Sequence, residues 1–340
     1  MNFYNDYSEG AHPNILEVLI QTNLERQNGY SEDEYSQKAK DILIDKIKNQ
    51  DADIHFVSGG TQANLIVIAS ALKPYESVIA ANSAHINIHE AGAIEATGHK
   101  IHSINSSDGK LSPEQIKPIL EEHTDEHMVK PAMVFISNST ELGTVYKKQE
   151  LKKLSAFCRQ NNLILYLDGA RLGVALSSNE NDLSLPELAK LIDVFYVGGT
   201  KNGALIGEAI VIINDELKQN FRFHLKQHGA LLAKGRLLGI QFVELLKNDL
   251  YFDLAKHANS MAYKLSKGIA ELGYNFLSKP ESNQIFPILP NSIIEKLGKK
   301  HDFYIWSKDK NNMSVIRLVT SWATKNEGID VFLDDLKKYS

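Results

Sequence analysis

From residue 53 to about residue 213 the chain alternates short β-branched runs with stretches of helical apolar spacing, and this alternation restricts the fold more than any other feature. Segments 54–57, 78–81, 101–104, 132–137, 163–167, 194–197 and 209–213 read as strands, while 61–72, 88–96 and 150–160 read as helices. Strands that alternate with helices build βαβ units, which lie parallel in one sheet with helices over its faces. Beyond Asp215 long helical stretches run to about residue 272, including one over 222–241. The remainder mixes strand-like 285–289, 303–306 and 314–319 with helical 291–299 and 326–338. The expected fold is α/β, a mostly parallel sheet covered by helices, with a smaller α+β C-terminal domain. The expected division is a segment 1–50 packing on the main domain or on a partner, a large domain 51–247 and a small domain 248–340.

The 340 residues suffice for a large core and a smaller one. With 37 basic against 42 acidic side chains and scattered lysine doublets, nothing gathers positive charge for a phosphate backbone, so nucleic acid is not an expected partner. No apolar run approaches the roughly 18 residues that cross a bilayer, and the first residues lack the charged and apolar regions of a signal peptide. A cytoplasmic protein with no membrane partner is expected. The single cysteine, Cys158, follows Leu151, Leu154 and Phe157 on one helical face and reads as a small buried hydrophobe. The twelve histidines are dispersed and suggest no metal site.

In an open parallel sheet, ligands bind beyond the carboxyl ends of the strands, and three strand ends carry suggestive residues. Ser58-Gly59-Gly60-Thr61 leads from a strand into a helix, where glycine amides and the helix terminus suit a phosphate. It matches neither the dinucleotide nor the P-loop fingerprint; alone it reads equally as a glycine turn with a threonine cap. Asp168 ends the apolar run Leu165-Tyr166-Leu167. Lys201 follows the next strand in Gly198-Gly199-Thr200-Lys201. Each is weak by itself. In this order they supply what pyridoxal 5'-phosphate needs: a phosphate cradle, a carboxylate for the pyridine nitrogen and an amine for the Schiff base.

The wording of these motifs resembles the threonine aldolase and β-eliminating lyase family of fold-type I pyridoxal phosphate enzymes. Ser58-Gly59-Gly60-Thr61-Gln62-Ala63-Asn64 is similar to the family's S-G-T-x-A-N phosphate segment. Ser83-Ala84-His85-Ile86 with Glu90-Ala91-Gly92-Ala93 is similar to A-H-I…E-x-G-G, Asp168-Gly169-Ala170-Arg171 to D-G-A-R, and Gly199-Thr200-Lys201-Asn202-Gly203 to S-K-G-L-G. The resemblance implies a fold-type I transferase-like architecture and aldol cleavage of L-threonine or L-allo-threonine to glycine and an aldehyde. It leaves β-elimination on another amino acid, or cleavage of a bulkier β-hydroxy amino acid, as alternatives. It also implies roles. Lys201 bonds the cofactor, Asp168 tunes it, His85 stacks on it, and Gly59, Gly60, Thr61 and Thr200 hold its phosphate. Arg171 and Arg317, the latter in an R-L-V-T strand, clamp the substrate carboxylate. His127 meets the substrate hydroxyl, and Tyr30 reaches the site from the neighbouring subunit of a homodimer or homotetramer.

The chain departs from the family pattern in three places. Asn5-Asp6 stands where the family has S-D, making Asn5 and nearby Ser8 the expected carboxylate contacts. Phe135–Glu141 stands where many members read E-N-T-H-N, so a glutamate and a histidine are expected to be missing from the site. The helix expected over 222–241 lacks the family's glycines and arginine, leaving Lys226, His228 and Lys234 as candidates for a phosphate contact across a subunit interface.

Overall fold

The computed structural model describes residues 1–308 and 311–340. Seven strands form the main sheet: β1 (Asp53–Val57), β2 (Glu76–Ala81), β3 (Ile101–Ile104), β4 (Lys130–Ser137), β5 (Ile164–Asp168), β6 (Val194–Gly198) and β7 (Glu208–Ile212). Their spatial order is β1-β7-β6-β5-β4-β2-β3. The five strands from β3 to β6 run parallel, as βαβ alternation demands. The expectation of a mostly parallel sheet holds, with one informative exception. Strand β7 lies antiparallel to β6 and to β1, because only 199–207 joins β6 to β7 and a parallel return needs a crossover of a dozen residues or more. That short connection carries Thr200 and Lys201.

Four further strands, β8 (Gln284–Ile285), β9 (Ile288–Pro290), β10 (Tyr304–Lys308) and β11 (Met313–Val319), make a small antiparallel sheet with β11 at its centre. Helices Asn291–Leu297 and Asn326–Tyr339 pack beside it around a second core that includes Leu265, Ile269, Ile316, Leu318, Phe332 and Phe3. The helix Leu250–Glu271 serves both cores. Leu254 belongs to the large one, whereas Ala262, Leu265 and Ile269 belong to the small one. The change of core thus falls inside this helix, a few residues beyond the expected division at 247.

Three local expectations give way to backbone chemistry. The stretch 88–96 is not one helix: a short turn His85–Ile88 and a 3-10 turn Glu95–Thr97 flank Ala91 and Gly92, whose φ angles of 50° and 74° interrupt helical geometry. The helix expected over 222–241 is two, Phe221–Gln227 and Arg236–Leu246, separated around Gly229 at φ 71°. The run 285–289 is two short strands rather than one.

The second of these helices fixes the β6–β7 connection. Gln241 is fully buried, and its Oε1 accepts the backbone N–H groups of Leu205 (2.7 Å) and Ile206 (3.3 Å) while Nε2 donates to the Leu237 carbonyl. Replacing Gln241 by Leu strips both amides of their acceptor. We expect a loss of about 1–2 kcal/mol, read as a lower urea midpoint at unchanged slope, together with weaker retention of any ligand bound at Lys201.

Candidate active site

The carboxyl ends of β4, β5 and β6, the loop after β1 and one face of the small sheet enclose a cavity of about 550 Å³. Its base is Asp168, last residue of β5 and 5% exposed. Oδ1 accepts the Tyr196 hydroxyl (2.5 Å) and the Ala170 N–H (3.0 Å), and Oδ2 accepts Nδ2 of Asn64 (3.1 Å). One lone pair on Oδ2 remains for a donor in the cavity. Burial raises the Tyr196 and Tyr166 hydroxyls well above the usual tyrosine range, with the Asp168 charge adding to it, so both stay protonated donors.

Lys201 enters from the β6–β7 connection. Among the described residues no carboxylate lies within ion-pair distance of it, and its Nζ sits 6.0 Å from the centre of the Tyr7 ring. Burial and the Arg171 charge push its amine below the ordinary lysine range, against the opposing pull of Asp6, Asp168 and Glu208. A lowered pKa yields more neutral, nucleophilic amine. Behind it Glu208, first residue of β7 and 4% exposed, accepts the Gly199 N–H at 2.9 Å. Burial pushes the Glu208 carboxyl up to about 8 despite its bond from Thr200 and the Lys201 charge.

Gly59, Gly60 and Thr61 line the cavity where β1 turns into the helix Gly60–Ala71. The space above Gly59 is open, whereas a Cβ on Gly60 would meet the Tyr196 hydroxyl at 2.9 Å. His85 lines the opposite side, its Nδ1 2.7 Å from Oε1 of the buried Glu90.

Residues 10–291 match the profile of the beta-eliminating lyases. The chain belongs to this family. It is 32% identical to the low specificity L-threonine aldolase of Pseudomonas aeruginosa over 98% of this chain and 96% of that protein. The solved threonine aldolase of Leishmania major superimposes with a TM-score of 0.98 at 48% identity, covering 99% of this chain and 98% of that one. An aromatic aminotransferase from Pyrococcus horikoshii shares the fold, with a TM-score of 0.74 at 15% identity over 99% and 95% of the two chains. The architecture is that of the fold-type I pyridoxal phosphate enzymes, as the sequence resemblance implied.

In this lyase the cavity gathers Gly59, Gly60, Thr61, His85, Asp168, Arg171, Thr200, Lys201 and Arg317. The two arginines differ. Arg171 is already engaged: Nε and Nη2 fork onto the fully buried Asp6 carboxylate at 2.7 and 3.0 Å, and Asn283 donates to the same Oδ2. Arg317 lies over the Tyr304 and Trp306 rings, donates one bond to the Tyr4 carbonyl (3.3 Å) and keeps a buried Nε–H without a partner among the described residues. Both line the cavity as expected, but Arg171 is held by a buried carboxylate whereas Arg317 keeps a free N–H among the described residues.

Other expected residues lie outside the cavity. His127 is in the exposed connection before β4, at the end of that strand opposite the site; eight residues separate the two ends, roughly 26 Å. Asn5 and Ser8 bond to each other, and Asn5 also accepts the Tyr7 N–H, so both shape a turn that aims Asp6 inward. Tyr30 is exposed at φ 60° with Nζ of Lys226 4.7 Å from its ring centre. His228 offers its carbonyl to Gln62 and its Nδ1 lies 2.9 Å from the His224 carbonyl; Lys226, His228 and Lys234 do not line this cavity. The glutamate expected to be missing is supplied from further along: Glu141 lines the cavity and accepts the Ser137 hydroxyl. Sequence reasoning overlooked Glu208, although an acid opening the apolar run 208–212 had to find a partner. It also passed over Asp6 beside the position it did select.

The Asp6 carboxyl is driven up by burial, but Arg171, Lys201 and Asn283 outweigh this and hold it below the usual carboxylate range. With the folded value below the unfolded one, the pair's stabilisation is complete above the unfolded value of about 3.9 and vanishes as pH falls through the folded value. We expect Asp6→Asn to cost about 3 kcal/mol at neutral pH, the gap from wild type closing as the denaturation series moves into strong acid.

Proposed function

We propose that this lyase cleaves the Cα–Cβ bond of L-threonine and L-allo-threonine, releasing glycine and acetaldehyde, with pyridoxal 5'-phosphate held at Lys201. One observation carries the reading. A single cavity sets an amine with no anionic partner among the described residues (Lys201), a carboxylate with a spare acceptor position (Asp168) and an arginine whose buried Nε–H is unpaired among those residues (Arg317) around open space beside a glycine turn. These residues fit the cofactor: the amine for its aldehyde, Asp168 for its ring nitrogen, and the amides and hydroxyls at Gly59, Gly60, Thr61 and Thr200 for its phosphate. When bound, it supplies a cationic ring that takes up the electron pair left at Cα.

The chain's own residues do the rest. Arg317 fixes the substrate carboxylate by a charge-assisted contact, and Asp6 keeps Arg171 rigid beside it. Fixing the carboxylate sets which bond at Cα stands perpendicular to the conjugated plane and so which bond breaks. The ring centres of Tyr304 and Trp306 lie 5.3 and 5.8 Å from the Arg317 guanidinium and support it from one side. Exposed Tyr30, with Leu24 93% and Phe223 75% exposed, supports an association of subunits, as a homodimer or homotetramer.

The purified protein, supplied with pyridoxal phosphate, should release acetaldehyde and glycine in equal amounts from threonine, and Lys201→Ala should lose both products and the visible absorbance of the bound cofactor. A coloured protein that liberates ammonia and a keto acid instead would replace aldol cleavage by β-elimination. Arg317→Leu should raise KM for threonine by about 10- to 100-fold, the equivalent of one charge-assisted bond, with the cofactor spectrum retained.

A further inference from the structure

Within its own chain His127 stands at the far end of β4 from the cavity, so the cavity's own side chains are the acceptors to weigh for the proton on the substrate hydroxyl. We propose that Glu141 accepts the proton of the β-hydroxyl as the Cα–Cβ bond breaks, an assignment that rests on the aldolase reading above.

The placement follows from topology. In the sheet order, Lys201 arrives beyond β6 on one side of Asp168, whereas Glu141 arrives beyond β4, and His85 beyond β2, on the other. Ser137 lies in register with Asp168 itself. Glu141 stands four residues past Ser137, and its Oε1 accepts two bonds, from the Ser137 hydroxyl (2.7 Å) and from the His85 N–H (2.9 Å). Those bonds lock the carboxylate against the cavity wall and leave Oε2 without a partner among the described residues. Across the sheet Glu141 therefore stands on the side of Asp168 away from Lys201, so a substrate held between them would present its β-hydroxyl to Glu141.

Competing acceptors are less well placed. Nδ1 of His85 is tied to Glu90, and the family resemblance gives its ring to stacking on the cofactor. Glu90 is itself buried beneath it. His89 lines the cavity, but it is exposed and donates or accepts no side-chain bond among the described residues that would hold its ring in place. Burial raises the Glu141 carboxyl, the Ser137 bond opposes this, and the Asp168 charge adds to the rise. A carboxylate that binds a proton more readily than in water is the stronger base for an alcohol.

The step balances without another reactant. The hydroxyl proton passes to Glu141 Oε2, the O–H electron pair closes the aldehyde C=O, and the Cα–Cβ pair stays with Cα. Protonation of Cα completes glycine, so amino acid becomes glycine and aldehyde with nothing oxidised or reduced.

The test compares wild type, Glu141→Gln, Glu141→Asp and His89→Asn, each loaded with pyridoxal phosphate. Four readouts are taken: cofactor-free melting temperature, the change of the visible band on adding glycine, exchange of the glycine α-proton in heavy water, and acetaldehyde release from threonine or benzaldehyde release from phenylserine. E141Q should melt with the wild type, bind glycine with the same spectral change and exchange its α-proton at the wild-type rate. Its kcat for aldol cleavage should fall by about 100-fold or more, the usual share of a general base, with KM little changed; E141D should recover part of the loss. An E141Q protein that cleaves as fast as wild type overturns the assignment, and does so in favour of His89 if H89N is the variant that fails. Loss of the glycine response together with cleavage also overturns it, since Glu141 would then only be supporting the site. A wild type that exchanges glycine but cleaves neither substrate sinks the aldolase reading and the assignment with it. An active wild type with an unaffected E141Q sinks the assignment alone.

Discussion

The carboxylate of Asp168 is buried at the end of a central strand, and its need for donors organises the elements around it. Tyr196 on β6 and the Ala170 amide saturate one oxygen, and Asn64 from the helix after β1 reaches the other. Asn64 is held in turn by the Tyr166 hydroxyl on β5 (2.7 Å) and shares its Nδ2 with Glu90 (2.7 Å), which lies 2.7 Å from His85. One buried oxygen pair thus connects the glycine turn, two neighbouring strands and the short helical turn of His85. A buried network of this kind is costly if any member is left unpaired, so its members have to arrive in register.

The antiparallel placement of β7 has a chemical counterpart. A βαβ crossover after β6 would have carried the chain over a sheet face; the short return instead folds Lys201 back toward the cavity and sets Glu208 behind it. The acid needs burial to hold a proton and the amine needs burial to shed one. Both requirements are met by the same stretch of backbone, pinned from behind by Gln241.

Much of this was legible in the sequence. All seven strands of the main sheet and the ends carrying Gly59, Asp168 and Lys201 follow from hydrophobic periodicity and from the rule that ligands bind at carboxyl ends. What escaped was set by contacts distant in sequence or by single backbone angles. No local pattern announces that Asp6 will engage Arg171, 165 positions away, nor that Ala91 adopts a positive φ and breaks an apparently helical run. Glu141 illustrates a different failure. Matching it against E-N-T-H-N reads a loss at fixed positions, whereas the turn after β4 returns a carboxylate to the cavity from four residues further on. His127 precedes β4 and so lies at its amino end, where the carboxyl-end rule places no ligand; the resemblance, not that rule, selected it.

The N-terminal segment touches both lobes within a few residues. Phe3 is part of the small core, the Tyr4 carbonyl accepts from Arg317, and Asp6 holds Arg171. Two residues of extended chain span at most about 7 Å, so the peptide from Tyr4 to Asp6 acts as a caliper of fixed opening between the two guanidinium groups. A disturbance at either arginine is transmitted to the other through this short tether. Energetically they form one unit: the effect of changing both will differ from the sum of the separate effects, as it does wherever two groups share a common support.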